Sequence, residues 1–288
     1  YGLNRIDVSI PATHRLVPHS TGIKMMLDLL HRSRMQFPAM AMGFIKRILD
    51  EATDHCRTRL VGGKDLLSYD QAQARLAKIQ SAFTICSAMC INTSERAGVE
   101  NNLAPHGLEA NAVKTCITDL MQETSQSLLQ MVGAKGYRLD HFAGRATVDN
   151  RPFQIFEGSN DILYIQIAEV LLKQMKVAKE KNLFRYLNGY DLTRNVSERL
   201  KTLLDFEINS SLSQRKLTEL GQAISRIVVM EMVITLGTRG FSKEHIENSL
   251  TNLQQEISTM LSSYAFVNRT ELIDLEQGHP SWRGFYSK

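Results

Sequence analysis

The sequence of 288 residues predicts an all-α protein in which helices pack antiparallel. Two observations carry this prediction. A stretch of 127 residues between Pro152 and Pro280 contains no proline, the residue that interrupts helices, and only six glycines. Apolar residues also recur at the helical period along most of the chain, whereas strand-like alternation occurs only at residues 6–10 and ends at Pro11.

Each helix is predicted from its own apolar spacing and from the glycine and proline residues that bound it. In the first helix the spacing continues on both sides of Pro38, so we expect a bend there and not an end. Residues 133–156 lack a helical pattern but contain several aromatic residues, which indicates an irregular, ordered connection of a functional kind. The predicted helices span residues 22–58, 69–97, 108–132, 159–181, 192–209, 213–236 and 242–266.

The amino-acid composition and the net charge exclude several classes of protein. Hydrophobic residues make up 43% of the chain and charged residues 22%, a globular mixture that excludes a disordered or low-complexity chain. No run of 18 uninterrupted apolar residues occurs, so no transmembrane helix is expected. The net charge of +4 favours an anionic ligand but is too diffuse to predict nucleic-acid binding. The four cysteines lack CxxC spacing, which favours free thiols, and the histidines lack metal-ligand spacing.

The residues that suggest chemistry lie at helix ends and around the irregular connection. Gly133 and Gly136 either cap the third helix or let a ligand approach the backbone. Glu157 precedes a helix start in an apolar context, where it either complements the helix dipole or acts as a general base in a poorly hydrated cleft. Arg59 ends the first helix, where it either complements the dipole or contacts a phosphate. The residues alone leave these alternatives open.

Five short motifs occur in order along the first part of the chain. They are Arg34 with Gly43 nine residues later, residues 59–63 (RLVGG), Leu76 with Ala77, residues 130–137 (QMVGAKGY) and residues 155–159 (IFEGS). Glu157 follows Gly136 by 21 residues. In this order and at these intervals the motifs resemble the carboxy-terminal helical domain of the acyl-CoA dehydrogenases. The resemblance covers about residues 5–172, and residues 156–163 are most similar to the very-long-chain branch.

The resemblance implies a flavin-dependent α,β-dehydrogenation of an acyl-CoA thioester, with FAD as the cofactor. It implies that Glu157 is the catalytic base; Ser33 stands where some branches carry an alternative base, and a hydroxyl cannot serve in that role. The implied FAD site consists of Arg59, Gln130, Gly133, Ala134, Ser159 and Asp161, of which the first four contact the FAD of the neighbouring subunit. Departures from the family pattern are Gly62 for Phe, Ala134 for Gly, Val148 for Arg and Asp161 for Gln.

The resemblance also divides the chain. Residues 1–18 correspond to a remnant of the family's middle β-domain and a linker, residues 19–182 to the helical bundle, and residues 190–288 to an additional helical unit. The implied fold is an antiparallel four-helix-bundle core of the acyl-CoA dehydrogenase carboxy-terminal type plus that unit. Because the family's other domains are not in this sequence, the chain alone is expected to be inactive.

The implied partners are an acyl-CoA substrate, a second copy of the chain in a homodimer or tetramer, and an electron-transfer flavoprotein. Nucleic acid is not expected, and membrane association is left open. The expected location is the cytoplasm of a bacterium or the mitochondrial matrix of a eukaryote, with a role in fatty acid β-oxidation. Two alternatives are a non-catalytic helical dimerisation module with a decayed flavin site, and a flavin monooxygenase component of the same fold.

Overall fold

The computed structural model describes residues 3–18, 20–209, 211–267 and 270–273, and it confirms the predicted all-α class. The helices and the one hairpin of these residues are α1 (Gly22–Thr58), β1 (Leu60–Val61), β2 (Lys64–Asp65), α2 (Asp70–Arg96), α3 (Gly107–Val132), α4 (Phe142–Asp149), α5 (Asn160–Ala178), α6 (Leu183–Asn188), α7 (Arg194–Ser197), α8 (Lys201–Leu204), α9 (Gln214–Thr238) and α10 (Lys243–Ala265).

Helix α1 is the longest element and positions the site described below. It begins after Thr21, whose side chain caps the helix by accepting a hydrogen bond from the backbone N–H of Lys24. Pro38 lies buried inside α1 without ending it, as the apolar spacing on both sides predicts. The helix ends at a hairpin whose two turn residues, Gly62 and Gly63, have φ values of +57° and +78°. Glycine adopts this left-handed backbone without strain, so the hairpin turn explains both glycines of the RLVGG segment.

The connection at residues 133–156, predicted to be irregular, contains a helix. Helix α4 occupies its middle, and short 3-10 turns occur at Gly133–Tyr137 and Arg151–Gln154. His141 caps α4 by accepting a hydrogen bond from the backbone N–H of Ala143, at 3.2 Å. Two helical turns are too short for the apolar period to register, which is why the sequence pattern missed them.

The prediction of a single helix over residues 192–209 is also wrong. Helices α7 and α8 are separate short segments, joined by a 3-10 turn at Glu198–Leu200. Beyond them the chain returns to the start of α6, where the N–H of Ile208 donates to the carbonyl of Lys181 and the N–H of Leu183 donates to that of Phe206. These tertiary backbone hydrogen bonds favour an extended conformation over helix at the end of the predicted segment.

Residues 6–10, predicted as a strand, pair with no other strand in the described part of the chain. The side chains of Ile6, Val8 and Ile10 are exposed by 81%, 69% and 68%. Strand hydrogen bonds require a neighbouring strand, and none of the described residues supplies one here. Their correspondence to a β-domain stays a prediction.

The long helices share one hydrophobic core. Helix α1 packs against α2 and α3, and α9 packs against α2, α3, α5 and α10. The core continues from Phe37 of α1 to Leu261 of α10 through contacting buried residues. Packing is therefore continuous across residues 182–190, and the division of the chain at that point stays a prediction.

Among the described residues, one helix is long and apolar enough to cross a membrane by length and composition. This helix is α9, and 72% of its apolar window is buried against the rest of the protein. In this fold α9 is a core helix, and its apolar side chains pack against the other helices.

Candidate functional site

Glu157 lies in a tight turn immediately before α5. Its φ of +56° places a non-glycine residue in the left-handed region, and the next residue, Gly158, has φ of +96°. Such a conformation costs on the order of 1–3 kcal/mol and persists only where the surroundings hold it. The turn is therefore a place to look for fixed contacts.

Two buried cations hold the backbone of this turn. Arg34 of α1 donates from Nη2 to the carbonyl oxygen of Glu157 at 2.5 Å and from Nη1 to Oδ1 of Asn111 at 2.6 Å. Lys114 of α3 donates from Nζ to the carbonyl oxygen of Gly158 at 2.9 Å and to Oδ1 of Asn160 at 2.8 Å. Charge-assisted hydrogen bonds of this kind are stronger than neutral ones, so they offset the strain of the turn.

Burial sets the charge state of these cations. The Lys114 side chain is completely buried, and burial lowers its pKa to about 8, an effect that the charge of Arg34 reinforces and the carboxylates of Asp119 and Glu157 oppose. Burial also lowers the pKa of Arg34, against the attraction of Glu157. Two positive groups thus lie behind the Glu157 turn.

The two carboxylate oxygens of Glu157 have different environments. Oε1 accepts a hydrogen bond from Oγ of Ser33 at 2.7 Å. Oε2 is buried and accepts no hydrogen bond from any described residue. The carboxylate is therefore oriented by a single hydrogen bond from the described residues.

Aromatic rings cover one side of the turn. Phe37 of α1 lies 5.8 Å, between ring centroids, from both Phe153 and Phe156, and the latter two are 5.3 Å apart. Phe156 directly precedes Glu157. Aromatic side chains therefore cluster next to Glu157, and a poorly hydrated carboxylate at this position stays a prediction.

Two further predicted site residues lie at the start of α5. Ser159 is its N-cap residue, but its side chain makes no capping hydrogen bond. Asp161 lies exposed in the first turn, where a negative charge complements the helix dipole. Contact of either residue with a flavin stays a prediction.

Arg59, Gln130, Gly133 and Ala134 form a second group at the carboxy-terminal ends of α1 and α3, which approach through Sγ of Cys56 and Sδ of Met131, 3.1 Å apart. The exposed Arg59 side chain makes no hydrogen bond or ion pair with a described residue. Gln130 lines a cavity of about 310 Å³ between the hairpin and these helix ends, together with Val61, Leu66, Tyr69, Gln71, Ala72, Arg75 and Met131. An uncommitted guanidinium near a cavity of this kind fits a phosphate-bearing dinucleotide.

The glycines of this group have structural reasons as well. Gly133 ends α3 with φ of +62°. A Cβ on the buried Gly136 would lie 2.8 Å from Cδ1 and 2.9 Å from the carbonyl oxygen of Leu129. Capping and close packing therefore account for both residues, and a ligand contact of Gly133 or the exposed Ala134 stays a prediction.

The two groups of predicted site residues lie far apart in the chain's structure. Arg34, at the Glu157 turn, and Arg59 are separated by 25 residues of α1, which is roughly 37 Å of helix at about 1.5 Å per residue. That distance exceeds the length of one extended flavin dinucleotide. The chain alone therefore does not assemble all seven predicted residues into one site.

Sequence reasoning missed Lys114 and the contact of Ser33. The sequence pattern could have identified Lys114, because this residue lies on an apolar face of α3. The neighbours on that face are buried, namely Ala110, Ile117 and Met121. A charged residue on a buried face requires partners. The partner of Ser33 is 124 residues away, and no local pattern indicates it.

Comparison with known sequences gives the same family throughout. A family described as "Acyl-CoA dehydrogenase, C-terminal domain" matches residues 20–172. The mitochondrial very long-chain specific acyl-CoA dehydrogenase of Rattus norvegicus is 26% identical over 161 residues, which are 56% of this chain and 24% of that protein. The probable acyl-CoA dehydrogenase YngJ of Bacillus subtilis is 25% identical over 167 residues, 58% of this chain and 43% of that protein. The match spans less than half the length of these relatives.

Solved structures share the fold. An acyl-CoA dehydrogenase from Bacillus anthracis, complexed with FAD, superposes with a TM-score of 0.65 at 16% identity, covering 85% of this chain and 49% of that one. Caenorhabditis elegans ACDH-11, in complex with C11-CoA, gives a TM-score of 0.56 at 17% identity, covering 82% and 44%. Both superpositions extend beyond residues 20–172, so helices after residue 189 belong to the shared fold.

Proposed function

This chain belongs to the acyl-CoA dehydrogenase family through its carboxy-terminal domain, and from this membership we propose that it is the carboxy-terminal part of a flavin-dependent acyl-CoA dehydrogenase. The observation that carries the proposal is the Glu157 turn. Its carboxylate has one oxygen bonded by Ser33 and the other buried without a partner. The strained backbone of the turn is fixed by two buried cations.

In the proposed reaction Glu157 removes the α-proton of an acyl-CoA thioester. The carboxylate that takes this proton is held in one orientation by the hydrogen bond from Ser33 to Oε1. When bound, FAD supplies the acceptor for the hydride that leaves the β-carbon, and the substrate becomes a 2-enoyl thioester. Arg34 and Lys114 hold the carbonyls of residues 157 and 158, which keeps the carboxylate at a defined position. The phenylalanine rings limit water at the site.

The second group, with Arg59 and Gln130, serves in this proposal as a contact for the phosphate and adenine side of an FAD bound at another subunit's Glu157 site. The support is the separation of the two groups and the uncommitted Arg59 guanidinium. The proposal therefore requires at least a homodimer. It also takes an electron-transfer flavoprotein as the electron acceptor, in the cytoplasm of a bacterium or the mitochondrial matrix of a eukaryote.

The test is Glu157→Gln in the full-length gene product loaded with FAD. Glutamine keeps the size of the side chain and the backbone N–H but accepts no proton, so reduction of the flavin by an acyl-CoA should slow by at least about 10²–10⁴-fold. FAD content should stay the same. Stopped-flow bleaching of the flavin absorbance measures the rate.

The matched control is Glu169→Gln, the same chemical change at an exposed position of α5. It should leave the reduction rate within about twofold of the wild type, as expected for a surface substitution. Unchanged reduction in the Glu157→Gln protein would remove Glu157 from the mechanism.

A further inference from the structure

We propose that Ser33 is a positioning residue for the base, which by donating a hydrogen bond to Oε1 of Glu157 holds the carboxylate in one orientation. This inference rests on the proposed function. Ser33 itself exchanges no proton with substrate in this scheme. Its role is to orient the carboxylate.

The geometry of Ser33 differs from that of other hydroxyl residues on the same helix. Thr53 and Thr58 of α1 donate their hydroxyl hydrogens to the backbone carbonyls four residues earlier, as Ser and Thr commonly do inside helices. Ser33, half-buried one position before Arg34, instead donates to Glu157 at 2.7 Å. Its hydroxyl is thus directed at the carboxylate and away from its own helix.

Ser33 is also the only described side chain that bonds the carboxylate. The charged groups that face Glu157 are Arg34 from α1 and Lys114 from α3, and both donate to backbone carbonyls of the turn. Without Ser33 the carboxylate would be free to rotate about its last torsion angle, which is broad and twofold. The hydrogen bond selects one orientation.

The experiment compares Ser33→Ala with Ser33→Thr in the full-length gene product loaded with FAD. Loss of one hydrogen bond should slow flavin reduction about 3- to 10-fold. Ser33→Thr keeps the hydroxyl and should restore the rate. KM for the acyl-CoA should stay constant in both variants, because Ser33 acts on the orientation of the base and not on substrate binding.

A matched control and a check on folding complete the test. Thr53→Ala removes a hydroxyl from the same helix and should leave the rate of flavin reduction within about twofold of the wild type. The FAD content of Ser33→Ala should equal that of the wild type, which separates a slower reduction from a loss of folded protein.

The outcomes separate this inference from the proposed function. If Glu157→Gln leaves flavin reduction intact, the base assignment fails and the role of Ser33 fails with it. If Glu157→Gln abolishes reduction but Ser33→Ala reduces the flavin as fast as the wild type, or Ser33→Thr fails to restore the rate, only the inference about Ser33 is overturned.

Discussion

At Lys114 the cost of burying a positive charge opposes the stabilisation from the hydrogen bonds that this charge makes. Its ammonium group is completely buried, which is costly, yet it donates to two oxygens at the start of α5, the carbonyl of Gly158 and Oδ1 of Asn160. An apolar side chain would avoid the cost of the charge and leave both oxygens without this donor. The second loss should dominate, because hydrogen bonds from a charged group contribute about 1.5–3 kcal/mol each.

We therefore expect Lys114→Met to lower the free energy of unfolding by about 1–3 kcal/mol at pH 7, measured by urea denaturation. The methionine has similar length, so the loss reports on hydrogen bonding more than on volume. Lys176→Met, at an exposed position of α5, is the control and should change stability by less than about 0.5 kcal/mol. An equally stable Lys114→Met protein would contradict this account of the turn.

The same variant has a pH dependence with a definite sign. The pKa of Lys114 is about 8 in the folded protein and 10.5 in its ordinary state, so between these values the unfolded chain binds more protons. Stability contributed by this group therefore rises with pH over that window. The difference in unfolding free energy between wild type and Lys114→Met should grow between pH 8 and pH 10, whereas a constant difference would contradict the lowered pKa.

Arg59 tests the second group of site residues. Arg59→Ala should weaken FAD binding to the full-length gene product by roughly 10- to 150-fold, since a charge-assisted phosphate contact contributes about 1.5–3 kcal/mol. Arg57→Ala is the matched control, because Arg57 lies exposed in the last turn of the same helix and complements the same dipole. If both variants bind FAD equally well, Arg59 acts on the helix dipole alone.

At this scale the sequence identified candidate residues but not their contacts. Glu157 and Arg59 were singled out from local motifs, and the structure places Glu157 in a turn with unusual backbone geometry. The hydrogen bond of Ser33 to Glu157 could not be predicted, because it joins α1 to the turn before α5 across 124 positions of the chain. Side-chain orientation across such distances depends on the whole fold.

At the scale of helices, α5 and α9 cross closely at Gly221. A Cβ on Gly221 of α9 would lie 2.0 Å from the carbonyl oxygen and 2.8 Å from Cα of Tyr164 on α5. These are backbone atoms, so the helices would have to move apart to admit a methyl group. Gly221 therefore sets the distance between α5, which precedes residue 189, and α9, which follows it. Both helices contribute to the hydrophobic core.

Gly221→Ala should lower the free energy of unfolding by about 1–3 kcal/mol, although alanine favours helix over glycine. Gly43→Ala is the contrasting control, because Gly43 lies inside α1 with nothing within 4 Å of the added Cβ. There the helix preference alone acts, and stability should rise by about 0.5–1 kcal/mol. Denaturation of both proteins decides, and a stabilised Gly221→Ala chain would mean that the crossing is not tight.

The limits of the long helices were predicted more accurately than those of the short ones. The limits predicted for α1, α2, α3, α9 and α10 agree with the structure within about two residues, because several turns of apolar spacing fix them. Helices of one or two turns, such as α4 and α7, were missed or merged. Their limits depend on caps and on backbone hydrogen bonds to distant residues, as at Ile208.

At the scale of the whole molecule, one buried guanidinium connects helices from both parts of the chain. Arg226 of α9 is 1% exposed, and it donates from Nη2 to Oδ2 of Asp119 on α3 and from Nε to Oε2 of Glu256 on α10, each at 3.0 Å. The hydroxyl of Tyr164 on α5 donates to the same Asp119 oxygen. The network therefore spans the point at which the sequence predicted a separate unit.

A shared core and a shared ionic network predict that the chain unfolds in one cooperative step. Amides of α3 and of α10 should lose protection from hydrogen exchange at the same denaturant concentration. Arg226→Ala should lower that concentration for both helices together and cost about 2–5 kcal/mol, because it removes a completely buried side chain and leaves two partly buried carboxylates without their cation. Arg239→Ala removes an ion pair with Glu95 that joins α9 to α2 at the surface, and it should leave that concentration nearly unchanged. Earlier exchange in α10 than in α3 would show that residues after 189 form a unit of their own, as the sequence predicted, and that the network does not couple the two parts.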